Sequence, residues 1–215
     1  MIRAIIFDFD GVIVDSERLH FMTEKNLLRK CGAHLNEQTF KQTLGHSVRD
    51  TLSLYKDVYN ISLSLKELLQ QHDKLFLQLV DKYLQLSDGF IELSDILRKH
   101  KYPFAIASSG TLEYITHALN KFNLVHLFIN KITTIDMVKR GKPAPDLFLH
   151  AARELEINPL FCLVIEDAVS GIKAAKAAGM HSLFLNTEKI IKEQDYNTRK
   201  ISSLKNITLE LLSEI

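Results

Sequence analysis

Cysteine is scarce in this 215-residue chain, with only Cys31 and Cys162 present. Two thiols cannot build a disulfide framework or fill a four-ligand zinc site by themselves, so both read as core residues. An excess of charge is missing too, because 27 Lys and Arg stand against 26 Asp and Glu for a net +1. A polyanion-binding surface needs a basic excess or a basic stripe, and the Lys139-Arg140 pair is too short to be one. Nucleic acid is therefore excluded as a partner. No apolar run reaches the 18 residues that a membrane-spanning helix requires. The start, Met1-Ile-Arg-Ala-Ile-Ile-Phe-Asp8, reads as a strand running into an acid, not as a signal peptide. Internal repeats and low-complexity tracts are also lacking. The expectation is a soluble cytoplasmic protein, a monomer or weak homodimer, with no membrane partner.

What is present is ordinary globular composition, 46% hydrophobic and 25% charged, on a length that suits one or two domains. Ala4-Ile5-Ile6-Phe7 is short, continuous and apolar, and it stops abruptly at Asp8. Such a run suits a strand covered on both faces, as in a parallel sheet. Phe104–Ala107, Cys162–Ile165 and Ser182–Leu185 repeat the pattern. Helix-like segments over Ile91–His100, Pro145–Leu155 and Ala168–Ala178 precede them, the last stopped by Gly179. Leu127–Ile129, after a helix over Leu112–Phe122, predicts a fifth strand. Strands alternating with helices predict an α/β fold with a doubly wound parallel sheet.

From Ser16 to about Leu86 the rhythm changes to purely helical apolar spacing, as in Leu65, Leu68, Leu69, Phe76, Leu79 and Val80. This predicts a small all-helical domain over residues 16–86, inserted after the first strand. Residues 1–15 and 87–215 form the α/β core, with hinges at Gly11–Asp15 and Ser87–Gly89. The chain after Lys189 is polar, with a possible last helix over Thr208–Ile215.

In open α/β sheets ligands bind beyond the carboxyl ends of the strands. The first strand ends in Asp8-Phe9-Asp10-Gly11, the second in Ser108-Ser109-Gly110, and a later one in Glu166-Asp167. Lys142 lies between these in Gly141-Lys-Pro-Ala-Pro-Asp146. Four acids in one cleft count −4 and would repel one another. A hard divalent ion with oxygen ligands, such as Mg²⁺, together with Lys142 supplies +3. The parts suit phosphoryl transfer. Asp8 acts as a carboxylate nucleophile, and Asp10 as acid and then base. Ser108 and Lys142 bind the phosphoryl oxygens.

Asp-Phe-Asp-Gly-Val at 8–12, Ile-Ala-Ser-Ser-Gly at 106–110, Gly-Lys-Pro-Ala-Pro-Asp at 141–146 and Ile-Glu-Asp-Ala at 165–168 resemble, in order, the four motifs of the haloacid dehalogenase (HAD) superfamily. The helical insertion is similar to that family's helical cap on a Rossmann-like core. Asp-Gly-Val-Ile-Val-Asp-Ser-Glu at 10–17 and Glu-Asp-Ala-Val-Ser-Gly-Ile at 166–172 resemble the β-phosphoglucomutase-like and sugar-phosphate phosphatase branch. The resemblance implies Asp8 as nucleophile and Asp10 as acid/base. It implies Mg²⁺ on Asp8, on the Asp10 carbonyl and on Asp167, with Glu166 a further candidate ligand. The acid at Asp10 argues against the dehalogenase branch.

Gly11, Ser109, Gly110, Glu17, His20 and Arg49 are the candidate substrate-binding residues. His20 matches a cap-hinge position of the mutases. The loop Leu44-Gly45-His46-Ser47-Val48-Arg49-Asp50 departs from their pattern: Val48 falls where mutases carry a phosphate-gripping Arg, and His72 where they carry a cap Lys. A mutase needs cations at both ends of its pocket. The expectation is therefore a Mg²⁺-dependent phosphatase of a small phosphorylated metabolite, a sugar phosphate in the first instance, with a phosphomutase as the alternative. A receiver-like phospho-accepting domain without turnover and a silent binding protein are the more distant rivals.

Overall fold

The computed structural model describes residues 1–43, 46–185 and 198–215. The chain forms two compact units, one of Met1–Asp15 with Leu86–Ile215 and one of Ser16–Gln85.

In the larger unit six strands make one parallel sheet: β1 (Ala4–Phe7), β4 (Phe104–Ser108), β5 (Ile132–Thr134), β6 (Cys162–Glu166), β7 (His181–Leu185) and β8 (Arg199–Ile201), in the spatial order β5-β4-β1-β6-β7-β8. The two short strands β2 (Val14–Asp15) and β3 (Gln85–Leu86) pair separately as a two-stranded sheet.

β1 is buried at every residue because helices cover both faces of the sheet. Ala4 and Ile6 pack with Leu147, Phe148 and Ala151 of α7 (Asp146–Glu154) and with Ala174 and Ala175 of α8 (Val169–Ala177). Phe7 meets Phe90 of α5 (Phe90–Lys99) edge-on, with ring centroids 5.7 Å apart, and Phe104 at 6.0 Å. The chain leaves β1 for β4 on one side and later returns to β6 on the other. The sheet's topological switch point therefore lies between β1 and β6.

The strand expected at Leu127–Ile129 is not there. Val125–Leu127 form a 3₁₀ turn, Phe128 fills the core against Phe104 at 5.4 Å, and Ile129 is exposed. The fifth strand is Ile132-Thr133-Thr134, whose two threonines disguise it as polar although both are buried. β8, an edge strand of Arg-Lys-Ile, also went unforeseen. The last helix is α9 (Leu209–Glu214).

The smaller unit contains α1 (Glu17–Lys30), α2 (Glu37–Thr43), α3 (Val48–Val58) and α4 (Leu65–Tyr83). Leu27, Leu28, Phe40, Leu52, Tyr55 and Leu68 form its core. A capping box starts α4: Ser64 accepts from the Glu67 N–H, while the Glu67 carboxylate accepts from the Ser64 N–H. The buried stripe of α4 is Leu68, His72, Phe76 and Val80, at four-residue spacing. No helix among the described residues is long and apolar enough to cross a membrane.

Candidate active site

β1 and β6 run in register, with Phe7 opposite Ile165, so Asp8 and Glu166 leave neighbouring strands side by side. The Asp8 N–H donates to the Ile165 carbonyl at 2.9 Å, which continues the ladder one residue past β1. On the other side Phe7 lies opposite Ile106, and Ser108 ends β4 at the same rim. Register alone thus brings three of the four motifs to one edge of the sheet.

Lys142 reaches this rim from the loop before α7. Its ammonium donates to Asp8 Oδ1 and, at 2.7 Å, to Glu166 Oε1, and all three side chains are almost wholly buried. The second oxygen of Glu166 accepts from the Ala168 N–H at 2.8 Å, at the start of α8. Glu166 lies so close over that helix that a Cβ on Gly171 would sit 1.8 Å from Oε1, which is why residue 171 has no side chain.

Burial raises the Asp8 pKa well above the usual carboxylate value. Lys142 opposes that rise, while Glu166, Asp167 and Asp10 add to it. For Lys142, burial disfavours the ammonium, but Asp8 and Glu166 outweigh it and lift the pKa above that of an ordinary lysine. One ammonium does not balance this many acids. Oxygens of Asp8, Glu166 and Asp167 lie within 4.8 Å of one another, and an all-oxygen anionic set with excess charge fits a hard divalent cation.

Gly11 turns the chain directly beneath Asp167. Its φ of +76° is left-handed, and a Cβ there would lie 2.3 Å from Asp167 Oδ2. Gly11→Ala is expected to add strain of roughly 1–3 kcal/mol and to push Asp167 aside. Chemical unfolding and the divalent-ion dependence of activity check this, and an unchanged ion dependence would contradict it.

Asp10 is held by a residue that sequence reasoning missed. The Tyr114 hydroxyl donates to Asp10 Oδ1 at 2.7 Å, and the Tyr114 ring packs edge-on against Phe9 at 5.5 Å. Tyr114 lies in the first turn of α6 (Leu112–Lys121), where it reads as one more apolar residue of an amphipathic helix. The Ser108 hydroxyl oxygen accepts from the Gly110 N–H at 2.9 Å, which leaves its proton to donate. Thr111, not either serine, caps α6. Ser109 is exposed. Tyr114→Phe is expected to lower kcat about tenfold with KM little changed, since general acid–base steps contribute roughly 10²–10⁴ and the acid remains but is less well oriented. Steady-state kinetics read the split; an equal loss through KM would count against a role on Asp10.

Glu17, His20 and Arg49 belong to the helical unit. Glu17 and His20 are in the first turns of α1, both half-buried, and Arg49 is exposed in the first turn of α3. Leu44 and Gly45 of the expected cap loop lie outside the described residues, as do residues 190–197 of the polar stretch after Lys189.

Residues 5–185 match the haloacid dehalogenase-like hydrolase family. The chain belongs to that family. Among its HAD relatives, a β-phosphoglucomutase of Bacillus subtilis is 28% identical over 99% of this chain and 94% of its own length. A 6-phosphogluconate phosphatase of Escherichia coli is 26% identical, over 85% of this chain and 82% of that protein. The crystal structure of a HAD hydrolase of family IA, variant 3, from Entamoeba histolytica superposes with a TM-score of 0.90 at 28% identity, over 99% of this chain and 98% of that one.

Proposed function

We propose that this HAD hydrolase is a Mg²⁺-dependent phosphatase of a small phosphorylated metabolite, a sugar phosphate in the first instance, working through a phosphorylated Asp8. The observation that carries the reading is the buried Lys142 ammonium shared by Asp8 and Glu166 at the switch point of the sheet. The phosphatase and mutase names of the relatives support the substrate class.

Asp8, the Asp10 carbonyl and Asp167 would hold the Mg²⁺, which supplies the positive charge that keeps Asp8 ionised and neutralises a phosphoryl oxygen. The Asp8 carboxylate attacks phosphorus and forms an acyl phosphate. Asp10, steadied by Tyr114, gives its proton to the departing oxygen and afterwards takes one from the attacking water. Ser108 donates its hydroxyl proton to a phosphoryl oxygen, and Lys142 offsets the charge that builds in the transition state. Glu166 acts through Lys142: accepting from both Nζ and the Ala168 N–H, it fixes where the ammonium points. The helical unit would take the role of the family's cap.

Hydrolysis is preferred to mutase chemistry because Val48, with no charge to offer, stands where the mutase pattern has a phosphate-gripping arginine. Phosphate release across a panel of phosphorylated metabolites tests the proposal, with Asp10→Asn expected to lose most turnover. Conversion of β-glucose 1-phosphate to glucose 6-phosphate, with a trace of glucose 1,6-bisphosphate and little free phosphate, would establish the mutase instead.

A further inference from the structure

The helical unit contains a group of ionisable side chains to which the proposed phosphoryl-transfer steps assign no part, although His20 is also a candidate substrate-binding residue. His20 and Glu24 stand four residues apart on α1, which places them on one face of that helix. His72 lies on the buried stripe of α4. One donor atom from each lies within 4.8 Å of the others. His72 is only 1% exposed and Glu24 only 4%.

Two details distinguish this group from an ordinary polar contact in a core. First, His72 Nε2 is buried and has no hydrogen-bond partner among the described residues, an arrangement that folded proteins seldom leave without a reason. Its other nitrogen, Nδ1, lies 3.2 Å from Asp73 Oδ1. A proton on Nδ1, donated to Asp73, leaves a lone pair on Nε2. A metal-bound histidine is arranged in this way, with a carboxylate behind the ring setting its tautomer and orientation. Second, the Glu24 carboxylate is anchored from behind. The Tyr55 hydroxyl donates to Glu24 Oε2 at 2.8 Å, and Tyr55 is itself 3.1 Å from the Thr43 hydroxyl. Phe76 stacks on the His20 ring, with centroids 4.3 Å apart, and restricts how that imidazole turns.

We propose that His20, Glu24 and His72 form a metal site within the helical unit, selective for a zinc-class transition ion and separate from the oxygen-lined catalytic site. Two imidazoles and one carboxylate make a nitrogen-rich set that suits Zn²⁺, Co²⁺ or Ni²⁺ and does not suit Mg²⁺. Three protein ligands leave a fourth position for water. Bonds of about 2.1 Å would hold the donor atoms no more than about 4.2 Å apart. The ion would join α1 to α4. Burial holds the His72 imidazole below its usual pKa, in the neutral form that can ligate. It also raises the Glu24 carboxyl, which a nearby cation would bring back down.

The test titrates Co²⁺ into the full-length protein with excess Mg²⁺ present to saturate the oxygen site, and follows the visible absorption of nitrogen-ligated cobalt. One equivalent is expected to bind with an intense band. Loss of an outer partner alone costs 10–100-fold in metal affinity, so His72→Gln and His20→Gln are each expected to weaken binding by about 100-fold or more. Tyr55→Phe is expected to weaken it by about tenfold, and Asp167→Asn to leave it unchanged. His20 is only half-buried, so its variant keeps the test open if His72→Gln fails to fold, which circular dichroism would reveal. Absence of the band in the wild-type protein overturns the proposal. So does a band that survives both histidine substitutions, or one that disappears in Asp167→Asn instead, which would assign the cobalt to the acidic cluster.

Discussion

Asp8→Asn is expected to reduce kcat by on the order of 10⁴ or more, while the protein stays folded and no less stable. Removing a nucleophile costs as much as dismantling the whole catalytic group, because the remaining residues have nothing to act through. The stability half of the expectation comes from the charges. Asp8 is buried, and its pKa is raised above the unfolded value of 3.8. An acid of that kind contributes most to stability below its unfolded pKa, and loses that contribution as pH rises through the folded pKa. An amide of the same shape has no such loss. Lys142 keeps its bond to Glu166 at 2.7 Å, so the ammonium is not stranded. In the absence of divalent ions, urea unfolding should therefore give Asp8→Asn a stability that depends less on pH above about 4 than the wild type does. A variant that retained more than about a hundredth of wild-type turnover would remove Asp8 from the nucleophile's role.

Much of the rim was legible in the sequence for a definite reason. A parallel strand covered on both faces must be a continuous apolar run, so Asp8 after Phe7 and Glu166 after Ile165 mark where each strand meets the rim. In-register pairing of β1 with β6 then brings the two acids together without further information. What escaped depended on contacts distant in sequence. Tyr114 joins Asp10 across 104 residues, and its helix pattern reports only that one face is apolar. Ile132–Thr134 was passed over for Leu127–Ile129 because hydropathy favours Leu and Phe, whereas buried threonine suits a strand through its branched Cβ. His72 was read only by its place in a mutase pattern. Its burial beside His20 and Glu24 arises from the packing of α4 on α1, which spacing along one helix does not reveal.

Lys142→Met is expected to impair both activity and folding, and the two losses separate with pH. In the wild type one ammonium serves Asp8 and Glu166 at once, and all three side chains are nearly out of water. Methionine fills much of the same volume and removes the charge, leaving two buried carboxylates next to each other. Removing one member of a buried ionic group typically costs about 3–5 kcal/mol, because the partner left behind remains desolvated. The acids relieve this only by taking up protons. Lys142 is the one contribution that lowers the Asp8 pKa, against burial, Glu166, Asp167 and Asp10, which raise it. Without it the folded-state pKa rises further, and the stability deficit widens as pH increases from about 4. The variant should therefore unfold at clearly lower urea than the wild type at pH 8 and approach it at pH 5. Mg²⁺ should recover part of the stability at pH 8, since a cation on Asp8 relieves the same repulsion, yet leave turnover down by about 10³ because the phosphoryl oxygens have lost their ammonium. Equal unfolding midpoints for variant and wild type at pH 8 would mean that Lys142 is not what holds these two acids together.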